Sequence, residues 1–165
     1  INSIHKNKIS PIIFGGGQEN GYRPGTLPVP LIIGFGAACE KANSIMLNES
    51  KKIKKMRDTL LQKIKSKIPN LIINGTMENR LDGNLNLSFP SLKGQSIVTS
   101  IPLVALSSGS VCSSSIPKPS HVLQALGLNN NLCNSSIRIG IGRFNTNKEI
   151  NLAADSIIKA IKMKS

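Results

Sequence analysis

Two periods organise the apolar positions of this 165-residue chain. Leu31, Ile32, Phe35, Ala38 and Cys39 recur at helical spacing, predicting a helix over 27–48 with that face buried and Cys39 as a packed core thiol. Pro28 and Pro30 are confined to its opening turn, where a missing N–H is tolerated. A second helix is predicted over 50–67, with Ile53, Met56, Leu60, Leu61 and Ile64 as its stripe and Pro69-Asn70 as its stop. A last helix carries Ile150, Ala153, Ala154, Ile157, Ile158 and Ile161, with Thr146 as N-cap and Glu149 completing a capping box. Period two appears over 84–89 (Asn-Leu-Asn-Leu-Ser-Phe) and 136–141 (Ser-Ile-Arg-Ile-Gly-Ile), which predicts strands with one buried face. The apolar runs 11–14, 71–73 and 101–106 read as further short strands, and 95–100 and 119–126 as short helices. Antiparallel strands mixed with surface helices define an α+β class.

Charge changes this picture less than its size suggests. The chain carries 21 Lys and Arg against 8 Asp and Glu, a net charge of +13, which raises nucleic acid as a partner. However, Lys51, Lys52, Lys54, Lys55, Lys63, Lys65 and Lys67 share one helix, and aromatic residues are only 3%, too few for a stacking platform. The composition, rich in Asn, Ile and Lys, fits an AT-biased genome acting on tolerant surface positions. A basic nucleic-acid-binding module therefore rests on charge alone. Three cysteines at wide spacing argue against a disulfide framework or a zinc site and for a reducing compartment. No apolar run is long enough for a bilayer span, and the polar start has no signal-peptide core, so a cytoplasmic setting without membrane contact is expected. The opening on Ile1 points to a fragment, a processed product or an unusual start.

The stretch with most chemical promise is Ser107–Ser115, a run of small residues holding Cys112. Read from the residues alone, it is either a mobile nucleophile loop or a Ser-rich linker that contains a thiol. Arginine is scarce, five against sixteen lysines, so each is informative. Arg138 on the alternating strand suits bidentate grip of a carboxylate, or else a surface ion pair. Arg23 lies in the Gly/Pro-rich loop over 18–26, and Arg143 precedes the last helix, where a structural role is expected. Thr26 offers a ligand hydroxyl or a helix cap. His121 reads as a catalytic histidine or as a surface or capping residue at a helix start, and Cys133 as incidental.

Together these segments resemble a known family. Residues 15–29, Gly-Gly-Gly-Gln-Glu-Asn-Gly-Tyr-Arg-Pro-Gly-Thr-Leu-Pro-Val, are similar to the Gly-rich segment of pyridoxal-phosphate-dependent cysteine desulfurases of the class-V aminotransferase family. Ser107-Ser-Gly-Ser-Val-Cys112 resembles their active-cysteine loop, and residues 119–128 and 135–144 resemble the two segments that follow it, in order and with matching spacing. The nitrogen-fixation and iron–sulfur-cluster branch is the nearest in loop length. The resemblance implies that Cys112 attacks the sulfur of cofactor-bound L-cysteine, L-alanine leaves, and a persulfide stays on Cys112. It further implies that Arg138 binds the substrate carboxylate, that Thr26 contacts the cofactor phosphate across a dimer interface, and that Cys112 shares an iron–sulfur contact with a scaffold partner. Residues 1–48 are then the end of the large cofactor domain with a long connecting helix. Residues 49–165 are the small C-terminal domain of a fold-type I enzyme, an antiparallel sheet with helices on one face.

The departures matter equally. The large domain with its cofactor lysine is not in the chain, so most of the pyridoxal phosphate site lies elsewhere. Ser3-Ile-His-Lys6 imitates the lysine signature, but only residues 7–14 separate it from the Gly-rich segment, and Lys6 is read as coincidental. Val111 stands where the family usually has alanine. The implied partners are a second copy or a complementing upstream segment, an iron–sulfur scaffold as sulfur acceptor, and L-cysteine. The alternative is a non-catalytic remnant or persulfide carrier.

Overall fold

The computed structural model describes residues 10–93, 96–108 and 119–165. Helix α1 spans Val29–Lys67, and is followed by strands β1 (Ile72–Ile73) and β2 (Asn84–Ser88), helices α2 (His121–Ala125) and α3 (Asn130–Asn134), strand β3 (Ser136–Gly140) and helix α4 (Asn147–Lys164). The strands form one antiparallel sheet in the order β1-β2-β3, so the architecture is α+β. The chain divides into two compact units, residues 1–45 and 46–165.

In the second unit, alternation along β2 and β3 turns Leu85, Leu87, Ile137 and Ile139 into one core. Met56, Leu60 and Ile64 of α1 and Ile150, Ala154, Ile157 and Ile161 of α4 belong to the same core. Burying each such Leu or Ile contributes about 1.5–3 kcal/mol. At the start of α4 the Thr146 hydroxyl accepts from the Glu149 N–H, and Glu149 accepts from the Thr146 N–H at 2.8 Å. This is the predicted capping box.

Four expectations change. The two long helices are one, because no Gly or Pro interrupts residues 37–67 and the weak formers Asn48 and Ser50 cost too little to break it. The Ser50 hydroxyl instead donates to Asp82. Residues 11–14 form no strand, and Ile12, Ile13 and Phe14 are exposed. Residues 101–106 are turns rather than a buried strand: Pro102 has no N–H to pair, and only Ser107 reaches the sheet, through a bridge to Arg138. Finally, Leu31, Ile32, Phe35 and Cys39 are exposed, Phe35 by 73%. Helical spacing identifies an apolar face but not what covers it, and none of the described residues of that unit covers this one.

Candidate functional site

Arg138 is the pivot of the second unit. Alternation puts Ile137 and Ile139 in the core, so Arg138 stands on the opposite, polar face of the sheet, with its side chain exposed. Its N–H donates to the Ser107 carbonyl at 2.7 Å, and its carbonyl accepts the Ser107 N–H at 3.2 Å. On its other side the register partner is Asn86. No hydrogen bond or ion pair occupies the guanidinium among the described residues. Its five donors are available to a planar anion such as a carboxylate.

A buried polar network underlies this face. Asn74 follows β1, and its amide nitrogen donates to Asn86 Oδ1 at 2.7 Å and Ser88 Oγ at 2.8 Å. Ser88 Oγ donates to Asn74 Oδ1 at 3.0 Å and lies 2.7 Å from Ser136 Oγ. Ser136 in turn donates to the Leu132 carbonyl of α3 at 2.6 Å. Asn74, Ser88 and Ser136 are buried, so each needs these partners. The Asn74 carbonyl accepts from Arg80, whose Nη1 is buried without a partner among the described residues. Burial, and secondarily the charge of Arg57, holds the Arg80 guanidinium below its ordinary pKa. Arg57 is itself buried and paired with Asp58 at 2.8 Å.

The remaining candidates separate cleanly. Thr26 is exposed and lies three positions before Val29, so it does not cap α1. Arg23 donates to the carbonyls of Gly25 at 3.1 Å and Thr26 at 3.2 Å, and the Gly25 N–H donates to Gln18 Oε1 at 3.1 Å. Gly25 takes φ 98°, a conformation suited to glycine. Arg23 therefore braces its own loop, on which Thr26 is exposed. Arg143 pairs with Glu49 at 2.9 Å, the structural role expected of it. His121 is exposed at the first turn of α2. Cys133 is buried in α3, and burial pushes its thiol pKa up. Cys112, Val111 and Lys6 lie outside the described residues. Among the described residues, no three His, Cys, Asp or Glu gather as metal ligands, and no helix is long and apolar enough to cross a membrane.

Alternation over 84–88 was enough to put Asn86 and Ser88 on one face, but not to show that Asn74, just after β1, completes a network there. Helix α3 was also missed, since its Asn-rich sequence has no apolar period. Its signal is Asn129, whose side chain caps the Leu132 N–H at 3.0 Å.

Comparison with known proteins gives a consistent result. The aminotransferase class-V family profile matches residues 5–152. A protein named cysteine desulfurase IscS from Ehrlichia chaffeensis is 48% identical over 155 residues, covering 94% of this chain and 38% of that protein. A mitochondrial cysteine desulfurase of Arabidopsis thaliana is 43% identical, covering 94% of this chain and 34% of its own length. Among solved structures, a NifS-like protein from Rickettsia africae superimposes with a TM-score of 0.73 at 30% identity, over 93% of this chain and 40% of that one. The chain thus spans well under half the length of the relatives it matches.

Proposed function

The chain belongs to the class-V aminotransferase family, and on that footing we propose that it is the C-terminal portion of a cysteine desulfurase, which takes sulfur from L-cysteine and leaves L-alanine and a persulfide on Cys112. The observation that carries this reading is Arg138: an exposed guanidinium without a partner among the described residues, bridged through its backbone to Ser107, five residues before Cys112. Arg138 and Ser107 are thereby joined at one edge of the sheet.

The fit to pyridoxal phosphate is partial. The hydroxyl of exposed Thr26, on a loop braced by Arg23, suits one phosphate oxygen. In this reading its remaining contacts belong to a second copy or to an upstream segment. When bound, the cofactor supplies the electron sink that makes the C–S bond of L-cysteine labile. Arg138 clamps the substrate carboxylate and orients the sulfur. A free thiol has a pKa of about 8.5, so the Cys112 thiol must lose its proton before it attacks. A new S–S bond then forms as the C–S bond breaks, and the departing carbon takes the electron pair and a proton to become L-alanine. The Cys112 persulfide passes its outer sulfur to an acceptor, an iron–sulfur scaffold in this reading, with an iron contact to Cys112 at that stage. A cytoplasmic setting accompanies the proposal.

The test is direct. Purified chain, mixed with pyridoxal phosphate and L-cysteine, is expected to develop no cofactor absorbance band and release no sulfide. Adding a separately expressed cofactor domain is expected to restore both. Turnover by the chain alone would overturn the division of labour and bring Lys6 back as the cofactor lysine.

A further inference from the structure

We propose that Asn86 is a second carboxylate-binding residue, its side-chain Nδ2–H acting beside the Arg138 guanidinium on the α-carboxylate of the amino-acid ligand. The inference rests on the assignment of Arg138 to that carboxylate and adds a residue the assignment does not contain. Both main-chain hydrogen-bonding groups of Arg138 are turned toward Ser107, exchanging bonds at 2.7 and 3.2 Å. The backbone of Asn86 is turned the other way, its carbonyl accepting from the Asn74 N–H at 2.9 Å. Arg138 and Asn86, direct partners in the antiparallel register, therefore form a non-hydrogen-bonded pair. In such pairs Cα atoms stand about 4.5 Å apart and the side chains on the shared face are at their closest.

Which end of the Asn86 amide is available is decided by the network beneath it. Oδ1 is engaged by the Asn74 amide nitrogen at 2.7 Å. Asn74 is buried and further committed, donating to Ser88 at 2.8 Å and accepting from it at 3.0 Å. With Asn74 placed as it is, rotating the Asn86 amide alone would set two NH₂ groups against each other, so in this arrangement the oxygen stays on Asn74. The Nδ2 donors of half-buried Asn86 have no partner among the described residues. The result is one neutral and one cationic donor group on adjacent strands with no carboxylate of the described residues paired to either. An acceptor-only planar anion satisfies both, while a carboxamide, which carries donors of its own, does not.

The experiment uses the chain itself, isotopically labelled, titrated with L-alanine and with L-alaninamide and read by NMR at the Asn86 side-chain amide and the Arg138 Nε–H. Both signals are expected to move with one midpoint for L-alanine and to stay still for L-alaninamide. Asn86→Ala is expected to weaken the midpoint about fivefold, the worth of one donor to an exposed charged acceptor. Asn86→Asp keeps the bond from Asn74, removes the donor, and is expected to abolish the response. If Arg138 responds to L-alanine while the Asn86 amide stays still, or Asn86→Ala binds within twofold of the native chain, the inference fails and the role of Arg138 stands. If Arg138 itself does not respond, its assignment fails and the inference fails with it. The native-chain signals decide the matter even if a variant does not fold.

Discussion

Gly83 is a position where no other residue fits. A Cβ added there would collide with the Ile141 carbonyl oxygen and press on Ile53, and the Gly83 carbonyl accepts the Ile141 N–H at 2.8 Å. Gly83→Ala is expected to lower stability by roughly 2–4 kcal/mol, read by urea denaturation, because the strand cannot move without losing that bond. The thiols make a second residue-scale prediction. Burial raises the Cys133 pKa, and its Sγ lies 3.6 Å from the Leu128 carbonyl, whereas Cys39 is exposed. Iodoacetamide followed by peptide mass analysis should find Cys39 alkylated in the folded chain and Cys133 alkylated only in denaturant. Glu149 supplies a pH effect. Its backbone and side-chain bonds from Thr146 hold its carboxyl below the usual carboxylate range. A depressed folded pKa contributes stability above the unfolded value, about 4.3, which is lost as pH falls through the folded value. The melting-temperature difference between the native chain and Glu149→Gln should therefore be present at neutral pH and shrink below pH of about 4.

At the scale of elements, the structure turns on what lies on each face of the sheet. Leu60, fully buried on the apolar side, should cost about 2–5 kcal/mol as Leu60→Ala. Asn74→Ala removes the donor to Asn86 and Ser88 on the polar side and should cost about 1–3 kcal/mol by stranding buried hydroxyls. Both are read by denaturant unfolding. A larger loss for Asn74→Ala than for Leu60→Ala would mean that the network, not the apolar core, holds the sheet. Strands β2 and β3 and helix α4 were legible because alternation, helical period and a capping box each name a structure with one side buried. Continuity of α1 was not, since Asn48 and Ser50 read as a break that neighbours on both sides override. Residues 101–106 misled because apolar character is shared by strands and by turns with buried anchors, and Ile101 is such an anchor, 3% exposed. Arg138 was legible as a candidate because the chain spends so few arginines. Its pairing with Asn86 was not, since register across strands distant in sequence is a property of the fold.

At the scale of the whole molecule, the apolar stripe on the first half of α1 is the strongest reason to regard the chain as part of an assembly. Leu31, Ile32, Ile33 and Phe35 are each half or more exposed or close to it, with Leu31 at 72%. Side chains of this kind in water mark surfaces that meet another element. The net charge of +13 needs no specific partner. Lys51, Lys54, Lys55 and Lys65 lie on the solvent side of α1, opposite its buried Met56, Leu60 and Ile64. Binding to duplex DNA is expected to be independent of sequence and to fall steeply between low and physiological salt, as filter binding at two salt concentrations would report. Sequence-selective binding that survives physiological salt would revive the nucleic-acid reading.

The central claim is that this chain carries the persulfide-forming half of a desulfurase active site, and the most direct measurement follows the sulfur. The chain, assembled with a separately expressed cofactor domain, is given L-cysteine labelled in its sulfur and then digested without reductant. The label is expected on the Cys112 peptide, to be released by dithiothreitol, to persist in Cys39→Ser and Cys133→Ser, and to vanish in Cys112→Ser. Sulfur on another cysteine, or L-alanine formed at an undiminished rate by Cys112→Ser, would contradict the account.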